Sequence, residues 1–222
     1  MTKHPLTNIL TLTLTSGAAW LLTSCGTTAG YKQADKTGAG IAEYRDEVLN
    51  VQKAVKETIR SMDQVEVTAN TDPRKAFEQF SKSLAALDAA AAKAEKRGQE
   101  MKSKGEAYFL QWEEQLAQVK NPEIKELAEK RKDKLSSAFQ GIKKVAEPLR
   151  AQFDPWLSDL KDLQTYLNND LTISGVDDAR KQFAKAKADG AQVEKSLDEL
   201  VAELNSISAA ITPAKVPEAQ AK

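Results

Sequence analysis

From residue 41 to residue 211 the apolar side chains of this chain recur at steps of three and four. Ile41, Tyr44, Val48, Val51, Val55, Thr58, Met62 and Val65 form the first such run. A repeat near 3.5 residues gathers them on one stripe of an α-helix, which must bury against partner helices as in a coiled coil. A β-strand, whose side chains alternate with a period of two, cannot collect the same residues on one face. The chain is thereby restricted to helices that share long seams.

The spacing predicts four of them. The first runs from Gln33 or Ile41 to Val67. The second runs from Pro73 to Val119, with Asp72 as its cap, and its seam passes through Phe80, Leu84, Leu87, Ala94, Gly98, Met101, Gly105, Tyr108 and Trp112. The third starts at Asn121-Pro122, again a capping residue followed by proline at the first helical position. It carries Leu135, Ile142, Leu149, Trp156, Leu160, Leu163 and Leu167. The fourth begins near Ser174-Gly175, carries Val176, Phe183, Gly190, Val193, Leu197, Leu200 and Leu204, and stops at Pro213. Short connections at 68–72, 120–122 and 171–175 make successive helices antiparallel neighbours. The expected fold is all-α, an elongated antiparallel coiled-coil-like bundle of four helices over residues 41–212, followed by a disordered tail, 213–222. Aromatic residues are only 6% of the chain, so the core is thin for its length.

Counting from the turns sets Trp156 level with Gly190, and the glycine reads as the space that the indole fills. Pro148 and Pro155 each remove a backbone donor and are expected to kink or interrupt helix three. Helices two and three, at about 47 residues, are longer than the other two, at about 35, which leaves a bare hairpin of roughly 20 Å. This hairpin lies above Ala107 and Leu135, and Tyr108, Phe109, Leu110 and Trp112 form its candidate interaction tip, with Phe109 and Leu110 off the seam.

The N-terminal segment supplies an address. Residues 9–22, ILTLTLTSGAAWLL, have the length of a secretory apolar core and are too short to span a bilayer comfortably. They lead into Leu22-Thr23-Ser24-Cys25, which resembles the lipobox of bacterial lipoproteins. That resemblance implies removal of residues 1–24 as a signal peptide, cleavage between Ser24 and Cys25, and acylation of Cys25. Several acyl chains on one residue make a stable membrane anchor where one chain does not. Gly26, rather than aspartate, follows the cysteine, which by the same analogy favours the outer membrane, with the protein facing the periplasm. Residues 25–40 hold four glycines after the cysteine and read as a flexible tether.

Cleavage would also remove His4, the only histidine, so the mature chain would lack both histidine and free thiol. Catalytic triads and histidine-containing metal sites then lose an essential member. No catalytic residue, cofactor or metal ligand is therefore expected. Glu113-Glu114 and Asp177-Asp178 are adjacent acidic pairs, but neighbours on a helix do not face each other and cannot converge on one ligand. The run Lys130-Arg131-Lys132-Asp133-Lys134 is flanked by acids and reads as a solvated face. With 32 basic and 32 acidic residues the chain carries no footprint for nucleic acid.

Tyr31 with Asp35-Lys36-x-Gly38, Trp112-Glu113-Glu114 with Leu116, and Pro155-x-Leu157 leading to Tyr166-Leu167 and Leu171 are the pieces by which the chain resembles the bacterial domain of unknown function 2959 family. The resemblance spans nearly the whole mature chain and implies a secreted helical protein, often a lipoprotein, with no known activity. The chain departs from it at Asn168-Asn169-Asp170-Leu171-Thr172, where the family tends to read Lys-His-Asn-Leu-Asn, which puts any role of that histidine in doubt. Two function classes follow. One is a lipid-anchored structural or protein-interaction scaffold, bound to membrane lipid through Cys25 and to an envelope protein or to itself. The other is a membrane-active or transport accessory bundle.

Overall fold

A computed structural model describes residues 30–212. It contains α1 (Gly30–Thr68), α2 (Arg74–Leu116), α3 (Pro122–Asn169), α4 (Ile173–Asp178) and α5 (Arg180–Ile211), and no strand among the described residues. The fold is the expected all-α bundle, with five helices in place of four. The expected signal peptide, 1–24, the expected cleavage and acylation site at Ser24 and Cys25, and the expected tail, 213–222, lie outside the described residues.

The turns form for local reasons. Asn121 Oδ1 accepts from the backbone N–H of Glu123 (2.9 Å) and of Ile124 (3.2 Å), capping α3 with Pro122 behind it. Asp72 accepts from the Arg74 N–H (3.2 Å) and also binds the Arg74 guanidinium through both carboxylate oxygens. Thr172 Oγ1 caps α4 by accepting from Gly175 N–H (3.0 Å). Each satisfies a donor that a helix start leaves without an intrahelical partner.

Around the bundle, α1 packs between α2 and α5, and α3 closes the ring against α5 and, more sparsely, against α2. The α2–α3 seam is laced by exposed ion pairs, Asp88–Lys161 (2.8 Å), Glu95–Arg150 (3.1 Å) and Glu113–Lys132 (2.6 Å). The core runs through Ile41, Val48, Val55, Met62, Phe80, Leu87, Trp156, Leu160, Phe183, Leu200 and Leu204, all buried. Inside the α1–α2 seam the Ser61 and Ser83 hydroxyls stand 2.6 Å apart, each also within reach of a carbonyl of its own helix; with one proton apiece, one hydroxyl donates to the other, which donates in turn to its helix carbonyl. The expected pairing of Trp156 with Gly190 is present: a Cβ on Gly190 would stand 3.0 Å from Trp156 Cζ2 and 2.6 Å from Ile59 Cδ1. The indole Nε1–H donates to the Ala186 carbonyl (2.8 Å), so the ring is fixed at its polar edge as well as by packing.

Three expectations are corrected. Residues 30–40 of the expected tether are helical, because α1 begins at Gly30. Its small residues are packing positions: Ala34, Thr37, Gly38 and Gly40 are buried, and a Cβ on Gly38 would lie 2.7 Å from Thr212 Oγ1. Of the kink or interruption expected at Pro148 and Pro155, the interruption does not occur, and α3 is continuous through both. Both are exposed, as are Lys144 and Ala151, whose carbonyls lose their intrahelical donors, so the unpaired groups belong to the solvent face and not to the core. Leu149, Phe153 and Trp156 hold the opposite face of the helix in the core. Finally, the expected fourth helix is broken at Ala179, where ψ of −7° replaces the usual helical value. The turn there buries both Val176 and Ala179.

Candidate interaction surface

The end of the rod that carries residues 117–121 holds the aromatic residues singled out from the sequence, but not as a bare tip. Tyr108 is buried, and burial pushes its phenol above the usual tyrosine range. Its ring lies 5.1 Å from that of Phe109 and 5.5 Å from that of Trp112. Phe109 meets Phe139 of α3 edge-on at 5.8 Å and is half-buried, as is Trp112. Phe139 can come this close because Gly105 faces it; a Cβ there would run into the ring. The aromatic group thus fastens α2 to α3 by an apolar contact beside the ion pairs of their seam.

The reason is the early start of α1. Gly30 reaches Gln115, and the first turn of α1 covers Tyr108 and Trp112 across a small hollow of about 170 Å³ that is also lined by Tyr31 and Ala34. On the other side α5 reaches Arg131, whose guanidinium donates to the Ala210 carbonyl (2.8 Å). Of the four tip residues expected, Leu110 alone is exposed, at 60%. It is joined by Ile124 at 55%, Leu127 at 71% and Tyr31 at 61%. Ile124 and Leu127 continue the repeat that buries Leu135 and Ile142, but lie past the ends of α1 and α5 and have nothing to bury against. The protruding hairpin is therefore real and shorter than expected, about 13 Å from Pro122 to Arg131 at 1.5 Å per residue.

Two of the lysines here are committed to carboxylates. Lys132 binds Glu113, which raises the lysine pKa, and Lys130 binds Glu126. The acidic pairs separate as their spacing requires: Glu113 faces Lys132, and Asp177 binds Arg180 (2.8 Å).

At the opposite end lies an open cleft of about 450 Å³ that sequence reasoning missed, between α3 and α5. Asp159, Asp162 and Tyr166, roughly one turn apart on α3, line it with Asp178, Gln182 and Lys185. The signal was present in that one-turn spacing of polar residues on α3, but the facing residues come from α4 and α5. Lys185 binds Asp159 and Asp189, which raises its pKa, and Tyr166 donates to the Gly175 carbonyl (3.1 Å). No group of three or more potential ligands among the described residues is placed to hold a metal ion, and no described helix is long and apolar enough to cross a membrane.

The family model described as protein of unknown function (DUF2959) matches residues 26–211. No curated protein and no solved structure matches the chain.

Proposed function

The chain belongs to the DUF2959 family, and from that premise we propose that it is a lipid-anchored protein of the cell envelope. In this reading it acts as a structural or protein-interaction scaffold and performs no catalysis. The observation that carries the reading is the position of Leu22-Thr23-Ser24-Cys25 immediately ahead of a rigid helical rod. Acylated Cys25 holds the rod to the periplasmic face of the outer membrane, and α3, at 48 residues and therefore about 70 Å, sets its reach. The polar groups of the interior support the same reading. Each buried serine or threonine bonds a neighbouring carbonyl or side chain, and Lys187 of α5 is spent on Asp63 and Glu66 of α1.

The test is metabolic labelling with a palmitate analogue, followed by separation of membranes. Wild type takes up the label and sediments with membranes; Cys25→Ser does neither and retains its signal peptide. Equal labelling of both proteins would sink the anchor. Cross-linking in native envelopes then distinguishes a scaffold, which captures an envelope protein or a second copy, from an accessory bundle that acts on lipid alone.

A further inference from the structure

Seven large apolar side chains are exposed among the described residues, and all lie toward the ends of the rod. Tyr31, Leu110, Ile124 and Leu127 share the end at which α1 begins. Two observations bear on what covers Ile124 and Leu127. First, Gly30 packs against Gln115 at that end, and only five residue steps separate Cys25 from Gly30. Even fully extended, that stretch reaches no more than about 18 Å. The hairpin extends about 10 Å past Gly30, so in an upright rod its tip stays within about 10 Å of any surface that holds Cys25. Second, the free segment 116–130 carries Lys120, Lys125 and Lys130 against Glu123, Glu126 and Glu129. It offers no net charge to a charged partner, only its apolar side chains.

Resting on the acylation of Cys25 proposed above, we infer that this end of the rod lies against the lipid surface in which those acyl chains are embedded, with Ile124 and Leu127 entering the headgroup region. The contact is apolar. It requires no anionic lipid and is little changed by salt, unlike the binding of a basic patch. The anchor and the tip together orient the rod, with the 171–175 turn directed away from the membrane.

The experiment uses the full chain, purified from a lipidating bacterial host and reconstituted into phosphatidylcholine vesicles. Leu127→Cys and, at the far end, Ile173→Cys each carry an environment-sensitive fluorophore; both positions are exposed, so neither label displaces core. A spin-labelled phosphatidylcholine, with its nitroxide near the headgroup, serves as quencher. The expected result is loss of emission at Leu127→Cys, none at Ile173→Cys, and no reaction of the fluorophore with the wild-type chain, whose Cys25 is blocked. Vesicle-bound protein with an unquenched label at Leu127→Cys overturns the inference while the anchor stands. A blue-shifted but unquenched label also overturns it, in favour of a second copy covering the tip. Wild type that reacts at Cys25 and stays off vesicles overturns the anchor reading and this inference with it.

Discussion

Replacing Gly190 by leucine tests the meeting point of three helices. A glycine within a helix costs about 1 kcal/mol against alanine, so the substitution begins with a gain in helix propensity. Packing opposes it. A Cβ at this position would stand 2.6 Å from Ile59 Cδ1 of α1 and 3.0 Å from Trp156 Cζ2 of α3. Ile59 is half-buried and can swing its terminal methyl aside. Trp156, 1% exposed, cannot, because its Nε1–H is held at 2.8 Å by the Ala186 carbonyl one turn away. The remaining carbons of leucine must then push the indole off that bond or force α3 from α5. Overpacking costs about 1–3 kcal/mol and a lost buried hydrogen bond adds about 1 kcal/mol more. The costs exceed the propensity gain, and the net expectation is a loss of about 1–3 kcal/mol, or roughly 2–10 °C in the melting midpoint. Thermal melts followed by helical circular dichroism read it directly. Trp156→Phe, which shortens the ring, should recover part of the loss in the double variant, giving a coupling between the two positions. An unchanged or raised midpoint for Gly190→Leu, or strict additivity with Trp156→Phe, would refute the argument.

Gly105→Ala should cost about 1–3 kcal/mol by driving a methyl into the Phe139 ring, and the loss should shrink in Gly105→Ala with Phe139→Leu; the same melts decide it. The carboxylate of Glu47 is held below its ordinary range first by the hydrogen bond from Lys93 and then by that from Asn50. Its folded pKa is depressed, so this contribution is complete above the ordinary carboxylate range and lost as the pH falls through the lowered value. Melting midpoints of wild type should accordingly decline more steeply with acidification than those of Glu47→Gln, and parallel curves would remove Glu47 from the account.

The seams and caps were legible in the sequence because they are local. Val48, Val55 and Met62 fall on one stripe through helix geometry alone, and Asn121-Pro122 can cap only the helix that follows it. The level of Trp156 with Gly190 was also readable, since a short turn fixes the register of the two helices it joins. What the sequence could not separate was one use of a small residue from another. Gly38 and Gly40 look the same in a loose tether as in a helix packed close to its neighbours, and only the presence of Thr212 and Lys104 beside them decides between the two. Pro148 and Pro155 announced a kink or a break, and the helix is unbroken at both because tertiary packing secures its inner face while the prolines stand on the exposed one. The covering of Tyr108 and Trp112 followed from where α1 begins, and that of Phe109 from the approach of Phe139, both matters of long-range packing that the period of a single helix does not contain. The bundle was therefore written in local spacing, as was the outward position of Leu110, whereas the exposure of Ile124 and Leu127 was decided by which helix ends first.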